Sequence, residues 1–148
     1  MIDKKNFYIN GKWVKPAKAN DYNVVNPSNE EVFAVISLGS KDDTDSAVKS
    51  AKRAFDQWKE TLVDERINFL EKLLKVYKKR FNEIAEAMSM EMGSPIDYAT
   101  MVHAASGQSH LEDFILRLKN FKFGEDFNSK SNNYIAREPI GVCGLITP

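Results

Sequence analysis

The seven residues Ile140-Gly141-Val142-Cys143-Gly144-Leu145-Ile146 restrict the fold more than any other segment. A strand with one wet face alternates apolar and polar residues, and this run does not. It suits a strand covered on both faces, which in practice belongs to a parallel α/β sheet. Parallel neighbours are joined by crossover units, usually through a helix. The sequence given ends at Pro148, two residues after the run, before any such unit. The expectation is an α/β protein cut short, its last segment being the first buried parallel strand.

Upstream, the pattern predicts small β elements and then helices. Phe7-Tyr8-Ile9 and Lys12-Trp13-Val14 flank Asn10-Gly11, a pair that favours the φ > 0 positions of a type I′ hairpin turn. Residues 15–21 read as a polar loop around Pro16 and residues 22–25 as a short strand. Asn26-Pro27-Ser28-Asn29 reads as a turn. Residues 31–38 form a third, β-branched strand that Gly39 ends. Ser40 with Asp43 resembles a capping box. Behind it Ala47, Val48, Ala51, Ala54, Phe55 and Trp58 recur at helical spacing. A second periodic stretch carries Ile67, Leu70, Leu73, Leu74, Tyr77, Phe81, Ile84, Ala85 and Met88. It is long for a globular helix, so a break is expected at 79–82, with Asn82 capping the restart. Gly93 suits the position just past a helix end. Ser94-Pro95 reads as N-cap and first turn of a third helical segment running towards Phe121. Residues 123–133 read as a loop.

The charge balance removes several function classes. Twenty-one Lys+Arg offset 21 Asp+Glu in 148 residues, for a pI near 6.7. A nucleic-acid binder usually carries a basic excess, so none is expected as a partner. No apolar run approaches the roughly 18 residues of a membrane span, and Met-Ile-Asp-Lys-Lys-Asn does not open a secretory signal. One cysteine makes no internal disulfide, which fits a reducing cytoplasm. A chain of this length has enough surface to bury a real core.

The chemistry-bearing residues read as structural. Cys143 sits among Val142, Gly144 and Leu145, with no base beside it, and reads as a small buried hydrophobe. His103 and His110 lie near one helix face without a third ligand at metal spacing, so Glu112 and Asp113 beside them read as a polar face. Met88, Met90, Met92 and Met101 read as packing between helices. Lys72, Lys75, Lys78, Lys79 and Arg80 read as a solvated face paired with Glu71, Glu83 and Glu86. Gly141-Val142-Cys143-Gly144 lacks the G-x-G-x-x-G fingerprint. Its position matters more, since ligands of open α/β sheets bind beyond the carboxyl ends of strands.

Arg137-Glu138-Pro139-Ile140-Gly141-Val142-Cys143-Gly144-Leu145-Ile146-Thr147-Pro148 resembles the segment leading to the cofactor site of NAD(P)-dependent aldehyde dehydrogenases. FYINGKWV resembles that family's opening hairpin, VVNPSNEEVFAVI its strand pair, DERINFLEKL its helix with an Arg near the start, and MEMGSP its element between helices. The resemblance covers residues 1–148 and implies an incomplete N-terminal, Rossmann-like cofactor-binding domain. Within it, 127–138 resembles the first strand of the oligomerisation hairpin, whose partner strand is expected to be absent. Residues 140–148 resemble the first strand of the nucleotide-binding sheet.

The parent reaction implied is oxidation of an aldehyde to a carboxylic acid through a cysteine thioester, with NAD or NADP as hydride acceptor and a homo-oligomer as assembly. Ile146, Thr147 and Pro148 match the family's cofactor-contacting strand end. Val24, Val25 and Glu91 match positions whose backbone carbonyls bind a monovalent cation in some members. Carbonyl oxygens suit a hard cation, although the residue pattern alone reads these three as ordinary backbone. The family's nucleophilic cysteine, general-base glutamate and oxyanion asparagine lie downstream of 148, and Cys143 is not at the nucleophile's position. No catalytic residue is therefore assigned, and the chain alone is expected to be inactive. Two other readings are a non-catalytic module that docks on full-length subunits and an unrelated α+β binding domain.

Overall fold

The computed structural model describes residues 1–128 and 132–147. A small three-stranded sheet comes first, in the order β1 (Ile2–Lys4), β5 (Glu31–Ser37), β4 (Asp21–Asn26). β4 and β5 pair antiparallel, and β1 joins β5 in parallel with Ile2 opposite Ala34. β2 (Phe7–Ile9) and β3 (Lys12–Val14) form a separate hairpin. Its turn is the expected one, with Asn10 at φ 54° and Gly11 at φ 72°. β1 is absent from the sequence reading: Ile2-Asp3-Lys4 offers one apolar residue, and its strand character comes from pairing with β5.

Helices α1 (Lys41–Trp58), α2 (Val63–Lys79) and α3 (Phe81–Met92) follow. The break falls in the expected interval, but Arg80 rather than Asn82 caps the restart. Then α4 (Ile96–Tyr98), a π-helical segment (Ala99–Ala104) and α5 (Ala105–Lys119) run on without interruption. Ser94 does not cap this third segment; Pro95 takes that position, and the Ser94 hydroxyl is buried without a hydrogen-bond partner. The π turn, invisible to a periodicity of 3.6, is secured by Tyr77 of α2, whose hydroxyl donates to the Ala104 carbonyl at 2.9 Å.

Two short strands, β6 (Gly124–Asp126) and β7 (Tyr134–Ala136), follow as an antiparallel hairpin. This corrects the loop expected at 123–133 and the unpartnered strand expected at 127–138. Within 127–138 only Tyr134–Ala136 is strand among the described residues, and β6 is its partner. Residues 129–131 of that span lie outside the described residues.

The core that forms is small. A compact chain of this mass exposes about 7,600 Å², whereas this one exposes 11861 Å². Among the described residues the buried apolar set is Ala34, Val35, Ile67, Ala85, Ala99, Ala104 and Ile115, mostly small side chains. The stripe of α1 is largely uncovered, with Val48 at 37% and Trp58 at 48% exposure. On α2, Phe69, Leu73 and Val76 are each about half exposed. Exposed apolar side chains in this number suit faces that meet other structure. No helix among the described residues is long and apolar enough to cross a membrane.

One polar knot fixes the approach of α1. Asp43 is buried, and its carboxylate accepts from the Ser40 amide at 2.8 Å, the Ser40 hydroxyl at 2.7 Å and the Ala17 amide at 2.8 Å. The capping box is therefore also a tertiary contact that ties the loop after β3 to the helix. The Ser40 hydroxyl first, then the Ala17 and Ser40 amides, hold this carboxyl below the usual aspartate range. The folded form thus binds the proton less well than the unfolded chain, and stability supplied by Asp43 is present above the ordinary aspartate value and lost as pH falls through the lowered one. Asp43→Ala is expected to lower the thermal midpoint at neutral pH. The gap to the wild type should narrow below about pH 4, where the unfolded chain takes up the proton and the folded form does not yet. Melts followed by circular dichroism between neutral and acid pH check this.

Candidate cofactor-proximal site

The site expected from the sequence is the segment after β7, and Arg137 sets its point of departure. The Arg137 amide donates to the Phe123 carbonyl at 2.8 Å. Its guanidinium donates to the Lys122 carbonyl at 3.0 Å and the Glu125 carboxylate at 2.8 Å, and lies 5.6 Å from the centre of the Phe121 ring. Glu138 and Pro139 then line a cleft of about 390 Å³ with Lys59, Thr61, Leu62 and Arg66, at the junction of α1 and α2.

That junction is held by Arg66, the arginine near the start of α2. Its Nε donates to the Thr61 hydroxyl at 2.8 Å. One terminal nitrogen donates to the carbonyls of Trp58 at 3.3 Å and Lys59 at 3.1 Å. The last carbonyls of a helix have no partner within it, and a cation there also meets the negative end of the dipole. Arg66 is thus a positioning residue for the corner over which the terminal segment passes.

Beyond Pro139 the expected buried strand is not formed. Residues 140–147 pair with no strand among the described residues, and Ile140, Leu145 and Ile146 are 94%, 90% and 97% exposed. The physical reason is that a strand exists only through hydrogen bonds to a neighbour. For the same reason Cys143 is exposed rather than buried, its Sγ 3.8 Å from the Gly141 carbonyl. Ile146 and Thr147 sit at the exposed end of this segment, and Pro148 lies outside the described residues.

The cation candidates fall elsewhere. Val24 and Val25 belong to β4, and the β4–β5 register shifts between them: Val24 faces Ala34, while Val25 faces Val32. A bulge disrupts the ladder locally. Glu91 lies in the last turn of α3, whose closing amide bond runs from Gly93 to the Ser89 carbonyl at 2.9 Å. The carbonyls after Ser89, that of Glu91 included, are the ones a helix end leaves without an internal partner. α3 packs on β4. No group of three or more His, Cys, Asp or Glu among the described residues could hold a metal ion. His103 packs edge-on against Tyr98. Of the basic run, Arg80 pairs with Glu83 as read, whereas Lys78 bridges to Glu112 and Glu71 is taken by Lys119 of α5.

Comparison with known proteins adds a second line of evidence. The model of the aldehyde dehydrogenase family matches residues 13–148. A 3-succinoylsemialdehyde-pyridine dehydrogenase from a Pseudomonas species is 40% identical over 149 residues, covering 100% of this chain and 31% of that relative. An aldehyde dehydrogenase from Bartonella henselae superposes with a TM-score of 0.87 at 46% identity, over 89% of this chain and 28% of the other. A variant of aldehyde dehydrogenase C from Pseudomonas syringae, solved with NAD+ and octanal, gives 0.81 at 31% identity, over 84% and 26%. The chain thus spans about three tenths of the length of these relatives, and what it matches is their N-terminal portion.

Proposed function

Because the chain belongs to the aldehyde dehydrogenase family, we propose that it builds the N-terminal, cofactor-proximal part of an NAD(P)-dependent enzyme that oxidises an aldehyde to a carboxylic acid. The observation that carries this reading is the exposed apolar segment at 140–147 in a chain that matches the family across 13–148. An apolar run with Ile146 at 97% exposure is a strand waiting for sheet neighbours. Given those neighbours, Ile140 to Ile146 become the first strand of the nucleotide-binding sheet, and the backbone of Ile146, Thr147 and Pro148 borders the adenosine and ribose. NAD or NADP would supply the hydride acceptor. The chain's own part is to shape one wall of the pocket and to hold that wall, through Arg137 and Arg66, against the α1–α2 corner.

Three further parts of the reading follow. Residues 127–138 contribute to the oligomerisation hairpin of a homo-oligomer, with β6 already on one edge of β7. The carbonyls of Val24, Val25 and Glu91 hold a monovalent cation that ties the β4 bulge to the end of α3. A single cysteine suits a reducing cytoplasm.

The test uses a chimera in which residues 1–148 replace the matching part of the 40%-identical Pseudomonas relative. Thr147→Phe in that chimera is expected to raise KM for NAD about tenfold, equivalent to about 1.4 kcal/mol, while KM for aldehyde moves little. If cofactor kinetics stayed unchanged and only aldehyde selectivity shifted, the assignment of this strand end to the nucleotide would fail. The 148-residue chain by itself, with one wall of the pocket, should bind NAD no tighter than about millimolar, about −4 kcal/mol.

A further inference from the structure

We propose that the cleft between the β2–β3 hairpin and α1 binds a small polyanion, such as a compound carrying two or more phosphates. The cleft has a volume of about 510 Å³, within the range of small-molecule sites. It is pinned at both ends. The Ser50 hydroxyl donates to the Asn10 side-chain carbonyl at 3.2 Å, and the Ala17 amide donates to Asp43 at 2.8 Å. Its spacing is therefore set before any ligand arrives, which lowers the ordering cost of binding.

Four cations line it: Lys12 and Lys15 from the hairpin side, Lys49 and Arg53 from α1. The carboxylates of its lining are Asp42 and Asp43, which leaves a surplus of two positive charges in a chain of net charge +0. Asp43 is already engaged by three donors. None of the four cations forms an ion pair among the described residues, although nine such pairs form elsewhere among them. Like charges gathered on facing walls raise the local concentration of anions. Ser46 and the Asn10 amide add neutral donors on the same lining. The site lies on other elements than residues 140–147, so it is independent of the cofactor-proximal end.

The experiment is calorimetric titration of the full 148-residue chain with inorganic tripolyphosphate at low ionic strength, with hydrogen exchange to map protection. One saturating event per chain is expected, with slowed exchange confined to residues 10–17 and 42–53. Lys49→Glu with Arg53→Glu should weaken binding at least about tenfold, the fold-change of losing favourable and gaining unfavourable charge at one site. Lys12→Glu with Lys15→Glu, on the opposite wall, should do the same, which guards against misfolding of either variant. Lys72→Glu with Lys75→Glu, on the exposed face of α2, should leave affinity within about twofold. No saturable binding, or equal weakening by the α2 variant, would overturn the proposal, since either would reduce the effect to diffuse surface charge.

Discussion

Gly93→Val is expected to destabilise the chain by about 2–5 kcal/mol, a large share of the roughly 5–15 kcal/mol that holds a typical domain together. Two independent penalties add at this position. Gly93 has φ +67°, a left-handed conformation in which a side chain with a branched Cβ is strained. A Cβ there would also sit 3.1 Å from the Ser28 nitrogen and 3.2 Å from the Pro27 Cβ, against backbone and a rigid ring that have little room to give. Gly11 separates the two terms. It has φ +72° and nothing within 4 Å of its would-be Cβ, so Gly11→Val carries the conformational penalty alone. Urea unfolding of both variants should show Gly93→Val as the costlier by the steric share, about 1–3 kcal/mol. Equal losses would mean that the end of α3 does not press on the β4–β5 turn.

Local signals were legible wherever a few neighbouring residues decide the geometry. Asn10-Gly11, Ser40 with Asp43, and Gly93 each specify a turn or a cap through their own backbone preferences, and each is found as read. Elements whose existence depends on distant partners were not legible. β1 is strand only because β5 lies beside it, and the π turn is held by a hydroxyl 27 residues away. The terminal run shows the converse. Its composition specifies a buried strand, yet composition supplies no neighbour, and the run lies open. The same limit hid the cationic cleft: Lys12 and Arg53 are far apart in sequence, and only the docking of the hairpin on α1 brings them together. Arg66 was readable as a residue at the start of a helix, but its service to the end of the preceding helix was not.

The uncovered faces of α1 and α2 and the open terminal segment lead to the second large effect, in activity. The central claim is that these residues are a working part of an aldehyde dehydrogenase and carry no nucleophile of their own. The most direct measurement follows reduced nicotinamide by absorbance in two samples given NAD and a panel of aldehydes. One holds the 148-residue chain, the other the chimera in which it replaces the matching part of the Pseudomonas relative. The chain alone should be indistinguishable from buffer, because Cys143 is exposed and sits in sequence among Val142, Gly144 and Leu145, which offer no base to activate it. The chimera should turn over at an ordinary enzymatic rate, about 1–10³ per second, roughly a thousandfold or more above the chain alone. Turnover by the chain alone that Cys143→Ser abolishes would contradict the account. So would a chimera that folds, binds NAD and oxidises no aldehyde.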